Sequence, residues 1–412
     1  MTRIEEKGDF PLAGVRILAV EQFITGPYCT QLLADAGAEV IKVERPGTGD
    51  PRRTMGPYLE GPDGQQIAGG FIEYNRSKKS IALDMASSRG RKIFRSLAKR
   101  SDVVVENLRP GSMKRLGLDY DALSSDNPGL IYAAISGFGR LEDYAGPYKN
   151  WPAFDIVTEA MSGIMDIVGF EDRPPTYTIY GMADVYSGII NALSIMMALY
   201  QRETTGLGQM VDTSMYDSMV SLNERAIALY SMTGEGPTRG RERVLGPRGA
   251  YAVRDGYVAI NIPTDDMWAR LARAMDREDL IEDPRCLTGP DRAQNQEYIR
   301  TVLEQWLAPM TREDAVRRLQ SASVPAGPVQ TVRDVSECPQ IEARRMLLEV
   351  PHPEAGTLTM ARSPMRLSRS PEVEAGPPPK LGEHTREILS NVLGLSDEEI
   401  SGLTEEAVVE HP

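Results

Sequence analysis

Histidine and cysteine are both scarce in this 412-residue chain, with three of each. The histidines, His352, His384 and His411, all fall in the C-terminal segment, with no matching cysteines and no HExxH spacing. Metal centres and Ser–His hydrolytic schemes therefore have little to build on, and no metal is expected. Cys29, Cys286 and Cys338 are odd in number and widely scattered, which argues against a disulfide framework and fits reduced thiols in a cytoplasmic protein. Positive charge is short as well. Forty-six basic residues against 59 acidic ones leave a net charge of −13, so neither nucleic acid nor an anionic membrane is expected as a partner. Any phosphate site must then be a local cluster. No Walker loop occurs, and the near-dinucleotide unit around FITGPYCT lacks GxGxxG, which leaves a nicotinamide-dependent dehydrogenase as a poor alternative. The longest apolar stretch, around residues 188–200, is too short and interrupted to predict a bilayer span, and the charged start MTRIEEKGDF has no signal-peptide core.

What the chain does have is hydrophobic content, 41%, enough for a substantial core in two or three domains. VRILAV, then Thr25-Gly26-Pro27 with Thr25 as candidate N-cap, a helix to Gly37 and the run EVIKVE read as a βαβ unit. SIALDM, a helix after Ser87, DVVVEN and LIYAAIS continue the alternation. This predicts an α/β fold: an open, mostly parallel sheet with ligand access at the strand C-termini. Beyond the helices around Asp184 and Met215 the grammar changes. GAYAVRDGYVAINIP reads as a hairpin about Asp255-Gly256, followed by helical patterns at DDMWARLARAM, QEYIRTVLEQWL and REDAVRRLQSA and a turn-rich VPAGPV. Residues 370–380 read as an extended connector, and HTREILSNVLGL as a helix docking back on the large domain. The expected layout is a large domain from 1–225 and 336–412 with a smaller α+β domain at 226–335.

One carboxylate draws attention. Asp184 sits at the expected first turn of a long apolar helix, flanked by the small residues Gly181, Ala183, Ser187 and Gly188, which leave room for a ligand or another backbone. Locally a cap or dipole partner is the commoner role for such a residue, with a nucleophile as the alternative.

The block PLAGVRILAVEQFITGPYCTQLLADAGAEVIKVERPGTGD, the run NRSKKSIALDM, the segment ENLRPGSMKRLGL and the stretch YGMADVYSGIINALSIMMALY together resemble the class III CoA-transferase family, which includes formyl-CoA transferase, carnitine CoA-transferase and α-methylacyl-CoA racemase. The resemblance runs from Pro11 to HTREILSNVLGLSDEEI. It implies an enzyme that moves CoA from an acyl-CoA to a free carboxylic acid, with Asp184 as the nucleophile and backbone N–H groups as oxyanion donors. It further implies coenzyme A contacts from Phe23, Ile24, Thr25, Arg45, Leu83, Asn107, Arg115 and Met215, and an interlocked homodimer.

Arg52, Arg53, Arg76, Lys78 and Lys79 are read as solvated or substrate-rim charges, and Asp155 and Glu159 as helical or capping residues. Tyr28, Tyr180 and Tyr216 are candidate hydroxyl donors to a dicarboxylate. Phe154 stands where the racemase branch has a histidine, which disfavours racemisation. Pro152 stands where some formyl-CoA transferases have a CoA-contacting lysine, and no glycine-rich active-site loop is evident, which weakens formyl-CoA and oxalate as substrates. A racemase, an intramolecular CoA isomerase and a non-catalytic acyl-CoA binder remain as alternatives.

Overall fold

The computed structural model describes residues 10–61, 64–239, 246–372 and 374–412. The charged start, residues 1–9, lies outside the described residues. The chain divides into two compact units, one from 1–165, 177–223 and 344–412 and the other from 166–176 and 224–343.

The first unit carries β1 (Arg16–Val20), β2 (Glu39–Glu44), a small hairpin of β3 (Tyr58–Glu60) and β4 (Gln66–Ala68), then β5 (Lys79–Leu83), β6 (Val103–Glu106), β7 (Ile131–Ser136) and β8 (Met210–Ser214). A seven-stranded sheet has the order β14-β5-β2-β1-β6-β7-β8, with β14 (Val409–Glu410) antiparallel to β5 and the other pairs parallel. Runs such as VVVE and IYAAIS are apolar along their length because both faces of a parallel sheet are covered. Leu18, Ile41, Ile81, Val104 and Tyr132 from the strands share one core with Phe94 and Leu97 of helix Ser88–Ala98 and with Ile388 and Leu389 of helix Thr385–Leu393. Ser87 begins the first of those helices by accepting the Gly90 N–H at 2.9 Å. The C-terminal helix thus packs into the core of this unit. Thr385 Oγ1 ties it to the edge strand by donating to the Glu410 carbonyl at 2.7 Å.

Helix Met182–Thr205, at 24 residues, is long and apolar enough to cross a membrane by length and composition alone, a test that a core helix also passes. Ala183, Ser187, Gly188, Asn191, Ile195, Ala198 and Leu199 nevertheless form a buried stripe at helical spacing, and Asn191 Oδ1 accepts from Thr213 on β8 at 2.9 Å. That stripe lies against helix Thr25–Ala34 and the β7–β8 edge. A second hairpin, β12 (Leu347–His352) and β13 (Gly356–Ala361), completes this unit.

The second unit has a three-stranded sheet in which β10 (Gly256–Asn261) lies between β9 (Arg248–Val253) and β11 (Ala326–Pro328). The turn at Asp255-Gly256 is the expected hairpin, with Gly256 at φ 147°. VPAGPV, expected as turn, contributes β11 because pairing with Val258–Ile260 decides it. Trp268, Leu271, Leu303, Leu307 and Leu319 of its helices fill a core against Val258 and Ile260.

Candidate active site

Loops leaving β1, β2 and β6 gather at one edge of the large sheet. The first, Glu21–Ile24, places Phe23 at φ 63°, a left-handed conformation that a bulky residue holds only when its surroundings impose it. Those surroundings are a buried charge network. Lys78 Nζ bonds Glu21 Oε1 at 2.7 Å, the Pro27 carbonyl at 2.9 Å and Asn75 Oδ1 at 3.1 Å, while Lys42 Nζ bonds the Glu21 carbonyl and Asp50 Oδ2, each at 2.9 Å. Asp50 Oδ1 in turn accepts the Phe23 N–H at 3.3 Å and the Arg52 N–H at 3.0 Å. Burial pushes the Lys78 ammonium down to about 8 against the pull of Glu21. Burial opposes charge on Lys42 too, but Asp50 and Glu21 outweigh it and hold its pKa up.

From this braced loop Thr25 reaches Asp184. Thr25 is the first residue of helix Thr25–Ala34 and not its cap, a correction: its Oγ1 donates to Asp184 Oδ1 instead. The two helices approach so closely that a Cβ on Gly188 would lie 2.9 Å from the Thr25 carbonyl, so the small residues beside Asp184 receive another backbone. Gly181, at φ 84°, begins the Asp184 helix without a side chain to cap it. Asp155 supplies the cap from its own helix, accepting the N–H groups of Gly181, Ala183 and Asp184 at 3.1, 2.7 and 3.2 Å. These N–H groups are therefore engaged by Asp155 and are not free oxyanion donors.

Burial raises Asp184 to about 6; the Asp155 charge adds to the rise, while the Thr25 hydroxyl and the Arg52 charge oppose it. Arg52 is buried, contrary to the solvated reading. It pairs with Glu73, donates from Nε to the Gly70 carbonyl at 2.7 Å, and reaches the exposed Tyr180 hydroxyl from Nη1 at 3.4 Å. Arg76 pairs with Asp35 and Lys78 with Glu21, both fully or nearly buried; Arg53 pairs with Glu44 and Lys79 with Glu39 and Glu387. Arg76 and Lys78 of NRSKK are thus framework charges, while Lys79 forms a half-exposed ion pair. Sequence alone offers one signal for this: Glu21 and Glu44 sit at ends of apolar strands, where unpaired carboxylates would be costly.

The remaining candidates divide by role. Asn107 spends both ends of its amide on Gln22, accepting its N–H at 2.8 Å and donating to its carbonyl at 2.7 Å, and so braces the Phe23 loop. Ile24 is buried beside Gly181. Leu83 lies in the core at the end of β5, 1% exposed, and its carbonyl accepts the Met85 N–H at 3.1 Å. Met215 opens helix Met215–Leu222 and is buried. Arg45, following β2, is exposed and has no side-chain partner among the described residues; Arg115 is exposed and donates only to Ser112 Oγ, at 3.0 Å. Tyr28 packs edge-on to Tyr74, and Tyr216 to Phe138. Phe154, 62% exposed, meets the Phe23 ring edge-on at 5.7 Å. His352 and His384 use Nδ1 to accept backbone N–H groups, of Glu354 and Ala355 and of Ser80 respectively, which is structural work.

The family model for CoA-transferase family III matches residues 12–385. A succinyl-CoA:mesaconate CoA-transferase of Haloarcula hispanica is 40% identical over 384 residues, covering 92% of this chain and 95% of that protein. A succinyl-CoA–D-citramalate CoA-transferase of Chloroflexus aurantiacus is 36% identical, covering 97% and 98%. Among solved structures, a CAIB/BAIF family protein from Brucella suis superposes with a TM-score of 0.82 at 34% identity, covering 93% of this chain and all of that one.

Proposed function

This chain belongs to CoA-transferase family III, and from that premise we propose that it transfers CoA from a succinyl-type acyl-CoA to a dicarboxylic acid through Asp184. The observation that carries the reading is the Asp184 carboxylate itself: largely buried, held by one hydroxyl, and without a salt-bridge partner among the described residues. At neutral pH such a group is ionised and poorly solvated, which suits a nucleophile.

The steps balance without a net proton. Asp184 attacks the thioester carbonyl, the C–S bond breaks, and a mixed anhydride forms as CoA thiolate leaves. The aspartyl carbonyl of that anhydride is then attacked by the thiolate, releasing the donor acid and leaving CoA as a thioester on Asp184. An acceptor carboxylate attacks this thioester to form a second anhydride. Return of the thiolate to the acceptor's carbonyl frees Asp184 and the new acyl-CoA. Anhydride and thioester lie close in energy, so alignment and exclusion of water do most of the work.

For the CoA nucleotide, exposed Arg45 and Arg115 suit phosphate oxygens because no carboxylate competes for them among the described residues. Phe23, Ile24, Thr25 and Met215 line the approach, Asn107 holds its loop in place, and Leu83 packs beneath from the end of β5; residues 1–225 with 336–412 form this CoA-binding part. Dicarboxylic acids appear in the names of both relatives, and buried Arg52 beside Asp184 is a fitting partner for a second carboxylate. Phe154 in contact with Phe23 offers no imidazole for α-proton removal, which favours transfer over racemisation. We propose an interlocked homodimer as well, supported by the exposed stripe Ile189, Leu193, Met197 and Tyr200 on the Asp184 helix. A stable monomer at micromolar concentration in equilibrium sedimentation would sink it.

The test of the function is trapping. Incubation with succinyl-CoA should leave a hydroxylamine-sensitive adduct on the peptide containing YGMADVYSG, absent in Asp184→Ala, and CoA should exchange into mesaconate, citramalate or malate. Full turnover by Asp184→Ala, or an adduct on another carboxylate, rejects the mechanism.

A further inference from the structure

Helix Asp155–Met161 carries two carboxylates one turn apart, Asp155 and Glu159, and both point at the strand of backbone that leads into Asp184. Glu159 is wholly buried and its Oε1 accepts the Thr178 N–H at 2.7 Å. Asp155 takes three donors farther along, those of Gly181, Ala183 and Asp184. Residues at i and i+4 of a helix share a face, so one rigid element grips four N–H groups across the segment from Thr178 to Asp184.

The choice of donors matters chemically. A helix N-terminus ordinarily favours an anion with its free N–H groups, and Asp184 in the first turn is placed to profit from that. Here Asp155 occupies those donors. Asp184 is left facing a like charge across the helix end, with, among the described residues, the Thr25 hydroxyl as its one side-chain hydrogen bond and Arg52 as the cation within electrostatic reach. Tyr74 is the remaining titratable neighbour, and burial pushes its phenol up to about 12, so it stays neutral.

We propose that Asp155 is a positioning residue for the transfer reaction: it fixes the backbone of Asp184 and withholds the helix N-terminus from the Asp184 carboxylate. This rests on Asp184 being the reacting group. Acylation or thioester formation at Asp184 removes its charge and with it the repulsion from Asp155, so the arrangement favours the covalent states over the free carboxylate. Glu159 anchors the same segment one turn away and acts on geometry alone.

The experiment compares Asp155→Asn with wild type in two readouts. Asparagine keeps an acceptor oxygen for the Ala183 and Asp184 N–H groups and removes the charge. The acid limb of kcat/KM should move to lower pH by about half a unit or more while the far-UV circular dichroism spectrum is kept. The second readout does not need turnover: the pH dependence of the stability difference between Asp184 and Asp184→Asn is measured with and without Asp155→Asn. Its midpoint should fall in the Asp155→Asn background. If Asp155→Asn does not fold, Asp155→Ser, which retains a capping oxygen without charge, carries the same two measurements. An unmoved acid limb together with an unmoved midpoint overturns the proposal and leaves Asp155 a cap only. Loss of the trapped adduct in wild type, with the midpoint shift present, would instead strike the transferase mechanism and leave the positioning intact.

Discussion

Thr25 and Asp184 lie 159 positions apart and meet through one hydrogen bond, from the threonine hydroxyl to the carboxylate, at the point where their two helices begin. Everything beneath that contact serves to hold it: the Lys78–Glu21–Lys42–Asp50 network fixes the Thr25 loop, and Asp155 fixes the Asp184 helix end.

Removing that bond should be felt in the pH profile. Thr25→Val is nearly isosteric and deletes the group that pulls the Asp184 pKa down. The acid limb of kcat/KM, expected near pH 6 in wild type, should move to higher pH, and the rate at pH 7 should fall about twofold for a limb moved by about one pH unit. An unchanged limb in a folded variant would show that the hydroxyl has no hold on Asp184.

Asp184 should cost stability where it is charged. Its folded pKa, about 6, lies above the 3.8 ordinary for an aspartate, so the folded state binds the extra proton between those values. Stability from this group is therefore lost as pH rises through that window, and the full penalty applies above about pH 6. Asp184→Asn should be more stable than wild type at pH 8, by on the order of 1–3 kcal/mol, and the gain should vanish near pH 4. Paired denaturation curves at the two pH values measure it.

How much of this was readable in advance follows from the range of the interactions. Strands such as DVVVEN and LIYAAIS, and the hairpin at Asp255-Gly256, are written in local patterns, and the structure has them where the patterns lie. Strand β8 has only MVDTS to announce it, β14 is two residues long, and both exist because an edge was open for pairing. Lys78 reads as a surface charge because its partner, Glu21, is 57 positions away. Asp155 reads as a cap for its own helix; that it caps another, 28 positions on at Ala183, is a tertiary fact. Burial of charge is decided by what arrives from elsewhere, and local spacing carries little of it.

Breaking the network should therefore be expensive. Lys78→Met leaves Glu21 buried with a charge and only Thr30 and a more distant Lys42 to meet it. Loss of about 3–5 kcal/mol is expected in chemical denaturation. The double variant Glu21→Gln with Lys78→Met should recover part of it, since no unpaired charge then remains. Additive losses in this cycle would mean that the pair is not coupled.

The two exposed arginines make the opposite prediction. Arg45 and Arg115 form no ion pair among the described residues, so Arg45→Ala and Arg115→Ala should leave the melting temperature where it is. Each should weaken CoA binding by about tenfold in isothermal titration, with the loss shrinking as salt is raised, because a guanidinium–phosphate contact is charge-assisted and screened. Asp184→Ala should bind CoA as wild type does, since it leaves both guanidinium groups in place. If instead Asp184→Ala loses CoA while the arginine variants keep it, the nucleotide does not lie along β2 and β6, and the placement of the CoA site at this edge of the sheet is wrong.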